Sequence, residues 1–98
     1  MYTIVFHEDV DNDLKEIGHT SALLVFKKLK QIAINPKIGQ DLGNKANLNL
    51  SGYKKVYVDK KKIRIVYKIV DDKIEVFVVA VGKRDEMAVY KTASSRIQ

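Results

Sequence analysis

The sequence has no cysteine and no tryptophan, and it holds only two histidines and one proline among 98 residues. Without cysteine there are no disulfides, no thiolate metal ligands and no cysteine nucleophile. No apolar run reaches the ~18 residues that span a bilayer. The first residues also lack the basic region and the long apolar stretch of a signal peptide. These absences favour a cytoplasmic protein with no membrane partner.

Metal and nucleotide motifs are also missing. Each of the two histidines lacks a second histidine at ligand spacing. Asp9, Asp11 and Asp13 resemble the start of a calcium-binding loop, but the glycine that such a loop needs is absent. We instead predict that these acids lie at the positive end of a helix dipole, with Asp9 as the N-cap. No metal and no small-molecule cofactor is expected.

Apolar residues make up 46% of the chain, which is typical of a globular protein and predicts a single domain over residues 1–98. The formal net charge is +6, and its excess lies in residues 51–68, where seven Lys or Arg residues accompany one acid. Such a basic segment is typical of a protein that binds a polyanion. A lysine-rich edge strand that resists aggregation is the alternative.

Hydrophobic periodicity predicts an α+β fold with the order β-α-α-β-β-β-α. Its core is an antiparallel sheet with two N-terminal helices packed on one face and a short C-terminal helix. The strand nearest the C-terminus is almost wholly apolar, so we expect it to be buried on both faces. Strands are predicted at residues 2–7, 53–58, 63–70 and 74–81.

The helix predictions rest on capping residues and apolar stripes. The first helix ends at Gly18, and the second is capped by Thr20 or Ser21 and ends before Pro36. The apolar stripe predicted for the second helix includes Phe26. Two further segments complete the prediction, a loop rich in Gly and Asn at residues 36–52 and a closing helix at residues 85–96.

A constellation of basic and aromatic residues remains in the second half of the chain. Because Val56 and Val58 point to one face of their strand, their neighbours Lys55 and Tyr57 point to the other. An arginine also interrupts an apolar strand, where a charge is costly unless that face is open or paired. The members are Lys55, Tyr57, Arg64, Lys83, Arg84 and Tyr90.

Such a set suits the cleavage of RNA, which carries its own nucleophile, the 2′-hydroxyl. The enzyme then needs to align the chain, take one proton, give another and neutralise charge on the phosphoryl oxygens. Arginine suits the last task through its fork of donors. A lysine whose pKa is lowered by positive neighbours can act as acid or base. The alternative is a basic edge that binds an acidic protein segment.

The sequence resembles the RelE/ParE superfamily of toxins from bacterial toxin–antitoxin pairs, most closely its RelE branch. Residues 63–67 (IRIVY) are similar to the family's arginine strand, and residues 79–84 (VAVGKR), followed by Val89 and Tyr90, are closer still to the RelE branch. The resemblance implies cleavage of messenger RNA in the ribosomal A site without a metal. Attack by the 2′-hydroxyl leaves a 2′,3′-cyclic phosphate and a 5′-hydroxyl. The implied partners are an acidic antitoxin, messenger RNA on the ribosome and ribosomal RNA.

The resemblance also implies residue roles. Lys55 would bind phosphate or transfer a proton, and Arg64 would position the RNA. Arg84 would stabilise the phosphoryl charge, and Tyr90 would stack or orient. The family's second strand lysine falls on Tyr57, so the proton-transfer group stays open between Tyr57, Lys55 and the lysines that follow. The residues expected to bind nucleic acid are Lys54, Lys60, Lys61, Lys62 and Lys83.

Two other functions stay open for this resemblance. One is a ParE-like inhibitor of DNA gyrase that cuts no nucleic acid. The other is an inactive relative that binds only an antitoxin.

Overall fold

The computed structural model describes residues 1–45, 48–84 and 88–97. The elements, in chain order, are β1 (Thr3–Phe6), α1 (Val10–Ile17), α2 (His19–Ile34), β2 (Gln40–Lys45), β3 (Leu48–Val58), β4 (Ile63–Val70), β5 (Glu75–Lys83) and α3 (Ala88–Arg96). Single 3-10 turns lie at Pro36–Ile38 and Asp71–Lys73. The α+β class and the predicted order are confirmed, with β2 as an addition. None of the helices in these ranges has the length and hydropathy needed to span a bilayer.

The five strands of the described residues form one sheet in the order β1-β5-β4-β3-β2. Antiparallel pairing joins β2 to β3, β3 to β4, and β4 to β5. The edge strand β1 pairs in parallel with β5. This parallel pairing departs from the antiparallel sheet that the sequence predicted. A parallel pair needs a long crossover connection.

The loop predicted at residues 36–52 is wrong for most of its length. Gln40–Lys45 and Leu48–Val58 are strands, and they form an antiparallel ladder. Leu42 and Leu50 are buried and anchor this ladder from inside. Two of the glycines that suggested a loop lie at an irregularity in this ladder, where Gly43 and Gly52 have φ values of 60° and 85°. Residues 46–47 of the predicted loop lie outside the described residues.

Helices cover both faces of the sheet. On one face α1 and α2 bury Val10, Val25 and Leu29 against the sheet, as predicted. On the other face α3 buries Val89 and Ala93. The strand β5 contributes to both cores, so its predicted burial on both faces is confirmed.

A register irregularity in β5 shapes the core under α3. Val66 pairs with Ala80, whereas Tyr67 pairs with Val78, so Val79 is an extra residue. Both Val79 and Ala80 consequently pack in the core beneath α3.

Asp9 occupies the N-cap position of α1, as predicted, but its side chain makes no capping hydrogen bond to a described residue. Two other details of the helix predictions are wrong. The helix α2 begins at His19, and the Ser21 hydroxyl donates to the Asp59 carboxylate at 3.0 Å instead of capping the helix. Phe26 is 43% exposed, because the buried stripe of α2 runs through residues 25, 29, 32 and 33. Of the predicted closing helix, residues 88–96 are helical and residues 85–87 lie outside the described ranges.

Candidate active site

The site lies on the face of the sheet that α3 covers. Val56 and Val58 of β3 are buried beneath α1 and α2, so Lys55 and Tyr57 point to the opposite face, as predicted. Arg64 of β4 pairs with Tyr57 across the ladder. Because cross-strand partners lie side by side on the same face, this register brings the two side chains together.

Three cations surround the ring of Tyr57. Lys55 Nζ lies 4.9 Å from the ring centroid, and the guanidinium carbons of Arg64 and Arg84 each lie 5.5 Å from it. Lys55 Nζ also donates a hydrogen bond of 3.0 Å to the Tyr57 hydroxyl. The structure therefore gathers three of the five predicted catalytic residues around the ring of a fourth, Tyr57.

The fifth, Tyr90, joins the cluster through Arg64. The Arg64 guanidinium carbon lies 4.6 Å from the centroid of the Tyr90 ring, so Arg64 contacts two aromatic rings. Arg64 is only 8% exposed, and cation–π contacts with Tyr57 and Tyr90 offset part of the cost of burying its charge. Tyr90 is 2% exposed, and its hydroxyl makes no hydrogen bond of normal geometry to a described residue.

The cations shift the acidity of the phenol. The hydrogen bond from Lys55 and the charges of Lys55 and Arg64 lower the pKa of Tyr57 to about 8, against the opposing effect of burial. The pKa of Lys55 is raised, chiefly by the same hydrogen bond to Tyr57. The expectation of a lysine with a lowered pKa is therefore wrong for Lys55. The acidified group in this cluster is Tyr57.

The remaining basic residues divide by position. Lys54 forms an ion pair of 2.6 Å with Asp41 on β2. Lys83 lines a separate cleft between α1 and α3, where it accompanies Asp13 and Glu16. Three exposed lysines, residues 60–62, form the turn between β3 and β4. Only this turn adjoins the end of the strand that carries Tyr57.

This turn has an unusual backbone. Asp59, Lys60 and Lys61 have φ values of 54°, 55° and 69°, a left-handed conformation that costs about 1–2 kcal/mol for each residue with a side chain. The Lys62 N–H donates to the Asp59 carbonyl at 3.0 Å, and the Arg84 N–H donates to the Lys62 carbonyl at 2.7 Å. These bonds hold the turn and fix the backbone of Arg84 beside it.

Sequence reasoning missed the ion pair that holds α3 in place. Arg96 of α3 donates two hydrogen bonds, of 2.6 and 2.8 Å, to the Asp13 carboxylate of α1, and a third of 3.0 Å to the Val79 carbonyl. Asp13 also accepts the Val81 N–H at 3.0 Å. A carboxylate three residues after the buried Val10 was the available signal, because that spacing puts it on the inward face of α1.

Metal ligands are not gathered anywhere in the described part of the chain. No group of three or more His, Asp or Glu side chains there is placed to hold a metal ion.

Comparisons of the sequence and of the fold with known proteins all find toxins of toxin–antitoxin systems. Residues 4–88 match a family model described as the ParE toxin of the type II toxin–antitoxin system parDE. The mRNA interferase toxin RelE of Escherichia coli K12 is 32% identical to this chain, over 98% of this chain and 97% of the relative. A variant of E. coli RelE in the free state superposes with a TM-score of 0.79 at 28% identity, covering 99% of this chain and 98% of that one. RelE in the intact E. coli RelBE toxin–antitoxin complex gives a TM-score of 0.69 at 28% identity, covering 88% and 100%.

The fold and the site together define a small α+β protein with a cationic, tyrosine-centred cluster on one face of its sheet. The chain belongs to the ParE toxin family of type II toxin–antitoxin systems, within the RelE/ParE superfamily. The resemblance seen in the sequence is confirmed.

Proposed function

We propose that this protein is a ribosome-dependent mRNA endoribonuclease that uses the 2′-hydroxyl of its substrate as the nucleophile. The observation that carries the proposal is the cluster of Lys55, Arg64 and Arg84 around Tyr57, whose pKa is lowered to about 8. A phenol that ionises near neutral pH can accept a proton, and cations beside it can stabilise phosphoryl charge. The mRNA interferase name of the E. coli relative supports the same chemistry.

The proton path uses the hydrogen bond between Lys55 and Tyr57. The Tyr57 phenolate takes the proton of the 2′-hydroxyl as the 2′ oxygen forms its bond to phosphorus. The bond from phosphorus to the 5′ oxygen then breaks, and the Lys55 ammonium protonates the leaving oxygen. Transfer of a proton from Tyr57 to Lys55 along their 3.0 Å hydrogen bond restores both groups. The products are a 2′,3′-cyclic phosphate and a 5′-hydroxyl.

The two arginines have different roles in this scheme. Arg84 is exposed at the end of β5, so its fork of donors can contact the phosphoryl oxygens directly. Arg64 is buried between the rings of Tyr57 and Tyr90 and acts as a fixed positive charge behind the site. Because Tyr90 is itself buried against Arg64, we assign Tyr90 to positioning Arg64 and not to stacking on a base.

The proposed partners follow from charge. Messenger RNA on the ribosome and ribosomal RNA are polyanions that complement the basic segment of residues 51–68. An acidic antitoxin would complement the same surface, and the E. coli relative is known in complex with its antitoxin RelB. An acidic antitoxin bound to this surface would therefore compete with RNA.

The test is induced expression in a bacterium followed by primer extension on translated and untranslated messages. We expect growth arrest and cuts confined to translated regions. An Arg84→Ala variant should abolish both, whereas Lys73→Ala, which changes an exposed lysine in the turn before β5, should change neither.

A second candidate function is inhibition of DNA gyrase without cleavage of nucleic acid. The match to a family model described as ParE favours it. Growth arrest with intact messages and a DNA-damage response would support this function and contradict the nuclease. Soluble protein without arrest would contradict both and leave an inactive binding relative.

A further inference from the structure

We propose that the groove between α2 and the uncovered edge of β3 binds the phosphate backbone of single-stranded RNA on its way to the Tyr57 site. The inference rests on the proposed function, because it assigns a place to the part of the substrate that flanks the cleaved bond. We call this feature the α2–β3 groove. Its basic residues are Lys27, Lys28, Lys55, Lys60 and Lys61.

The groove exists because β2 is shorter than β3. The ladder between them ends at the pair of Gln40 and Lys55, so from Val56 to Val58 the strand β3 is paired with β4 on one side and has no strand on the side of β2. Two adjoining cavities follow this edge, and Tyr57 and Lys28 border both of them. From Lys55 to the turn the strand advances about 13 Å at about 3.3 Å per residue. The groove is therefore longer than one phosphate group, and Lys55 and Tyr57 of the candidate site border it.

Most of the positive charge of the groove is not compensated by carboxylates. Its five lysines accompany one carboxylate, Asp59, which accepts a hydrogen bond from Ser21. In the described part of the chain, none of the five lysines forms an ion pair with a carboxylate, whereas Lys54, on the same strand, does so with Asp41 at 2.6 Å. Cations gathered in this way repel one another, and a polyanion relieves that repulsion.

The strained turn forms one rim of the groove. Asp59, Lys60 and Lys61 keep positive φ values although none of them is glycine. Strain of this kind persists where surrounding contacts enforce it and is concentrated at functional sites. Here the contacts are the bonds within the turn and the bond from Ser21 of α2. They hold two lysines of the turn opposite two lysines of α2.

These features favour an RNA backbone over an acidic peptide. An RNA held with one phosphate at Tyr57 must leave the site along some path, and the α2–β3 groove is bordered by Lys55 and Tyr57, two residues of that site. Lysines bind successive phosphates as point charges and carry no sequence information. We therefore expect the groove to add affinity that is independent of sequence and sensitive to salt.

The experiment measures binding of a fluorescent 2′-O-methyl oligoribonucleotide, which lacks the nucleophile and cannot be cut, by anisotropy over a range of salt concentrations. The groove variant carries Lys27→Ala and Lys60→Ala. The matched control carries Lys30→Ala and Lys73→Ala, which remove the same charge from exposed positions on α2 and in the turn before β5. Thermal melts check that both variants fold.

We expect the groove variant to bind about tenfold more weakly at low salt than the control. The slope of log affinity against log salt should fall by about 1.4, because each lost contact with a single-stranded phosphate removes about 0.7. Equal binding by the two variants would overturn the proposal. It would also be overturned if the groove variant lost affinity for a poly-glutamate peptide and kept its affinity for RNA, since the groove would then bind an acidic protein.

This outcome is separable from that of the proposed function. If wild-type protein binds the oligonucleotide through the groove but leaves cellular messages intact, the nuclease proposal fails and the groove stands. If messages are cut and the groove variant behaves like the control, the groove proposal alone fails.

Discussion

Removal of the Asp13 carboxylate should destabilise this protein more than any change to a surface ion pair. Asp13 and Arg96 are largely buried, with side chains 11% and 13% exposed, and they share two short hydrogen bonds. Deletion of one partner leaves the other as a buried charge without compensation, which costs about 3–5 kcal/mol. Asp13→Ala also removes the acceptor of the Val81 N–H.

The size of this effect relative to total stability makes it measurable. Domains of this size have free energies of unfolding of about 5–15 kcal/mol, so Asp13→Ala should remove a large share of the total. At about 4 °C or more for each kcal/mol, the melting temperature should fall by about 12 °C or more. Asp13→Asn should fall between the wild type and Asp13→Ala, because it keeps an acceptor for the Val81 N–H and loses only the charge.

The assay is urea unfolding followed by circular dichroism, with Asp11→Ala as the matched control on the same helix. Asp11 lies 3.7 Å from Lys15, but these two side chains are 82% and 73% exposed. Such a pair contributes about 0–1 kcal/mol. If Asp13→Ala proved no more destabilising than Asp11→Ala, Arg96 would not be left as an uncompensated buried charge, and our account of how α3 is held would be refuted.

Three further outcomes are expected. Arg84→Ala should abolish growth arrest while the melting temperature stays within a few degrees, because this exposed side chain serves the site and not the core; an equal loss of folding in thermal melts would contradict this. The rate of cleavage should rise as the pH rises toward about 8, because the phenol of Tyr57 accepts a proton only after it ionises. The Tyr57→Phe variant should lose this rise. An unchanged pH–rate profile in the variant would remove Tyr57 from the mechanism. Gly39→Ala should lower the free energy of unfolding in urea by about 1–3 kcal/mol, because an added Cβ would press on the Tyr67 hydroxyl and lie 3.0 Å from the Lys55 carbonyl oxygen. If the variant were as stable as the wild type, the neighbouring atoms would relax freely around the added Cβ.

The strands in the interior of the sheet could be predicted because the pattern of apolar and polar side chains along a strand indicates which of its faces are buried. The apolar run of β5 indicated burial on both faces, and alternation along β3 placed Lys55 and Tyr57 on one face. The strand β2 was missed because its sequence, Gln40–Lys45, includes glycine and asparagine. Its pairing with β3 and the burial of Leu42 stabilise it, and neither is visible in local propensity.

The composition of the candidate site was predictable, but its acidities were not. Alternation along one strand placed Lys55 and Tyr57 on the same face, and a charge in an apolar strand marked Arg64, but the register that pairs Arg64 with Tyr57 came only from the structure. The direction of each pKa shift depends on which atoms share a hydrogen bond, and the sequence does not record that contact. The inward position of Asp13 could be inferred from its spacing after Val10, but its pairing with Arg96 could not, because 83 positions separate the two residues and no local pattern links them.

The position of β1 has a consequence for how the chain folds. Thr3 lies opposite Glu75 in the parallel pair, so 72 positions of chain must be brought into place before this ladder can form. The strands β2 to β5, in contrast, follow one another as an antiparallel meander with short connections. Because loop closure must be completed before distant contacts form, we expect the meander to assemble first and β1 to dock last. Substitutions within the meander, such as Val66→Ala, should therefore slow refolding, whereas Ile4→Ala in β1 should mainly accelerate unfolding.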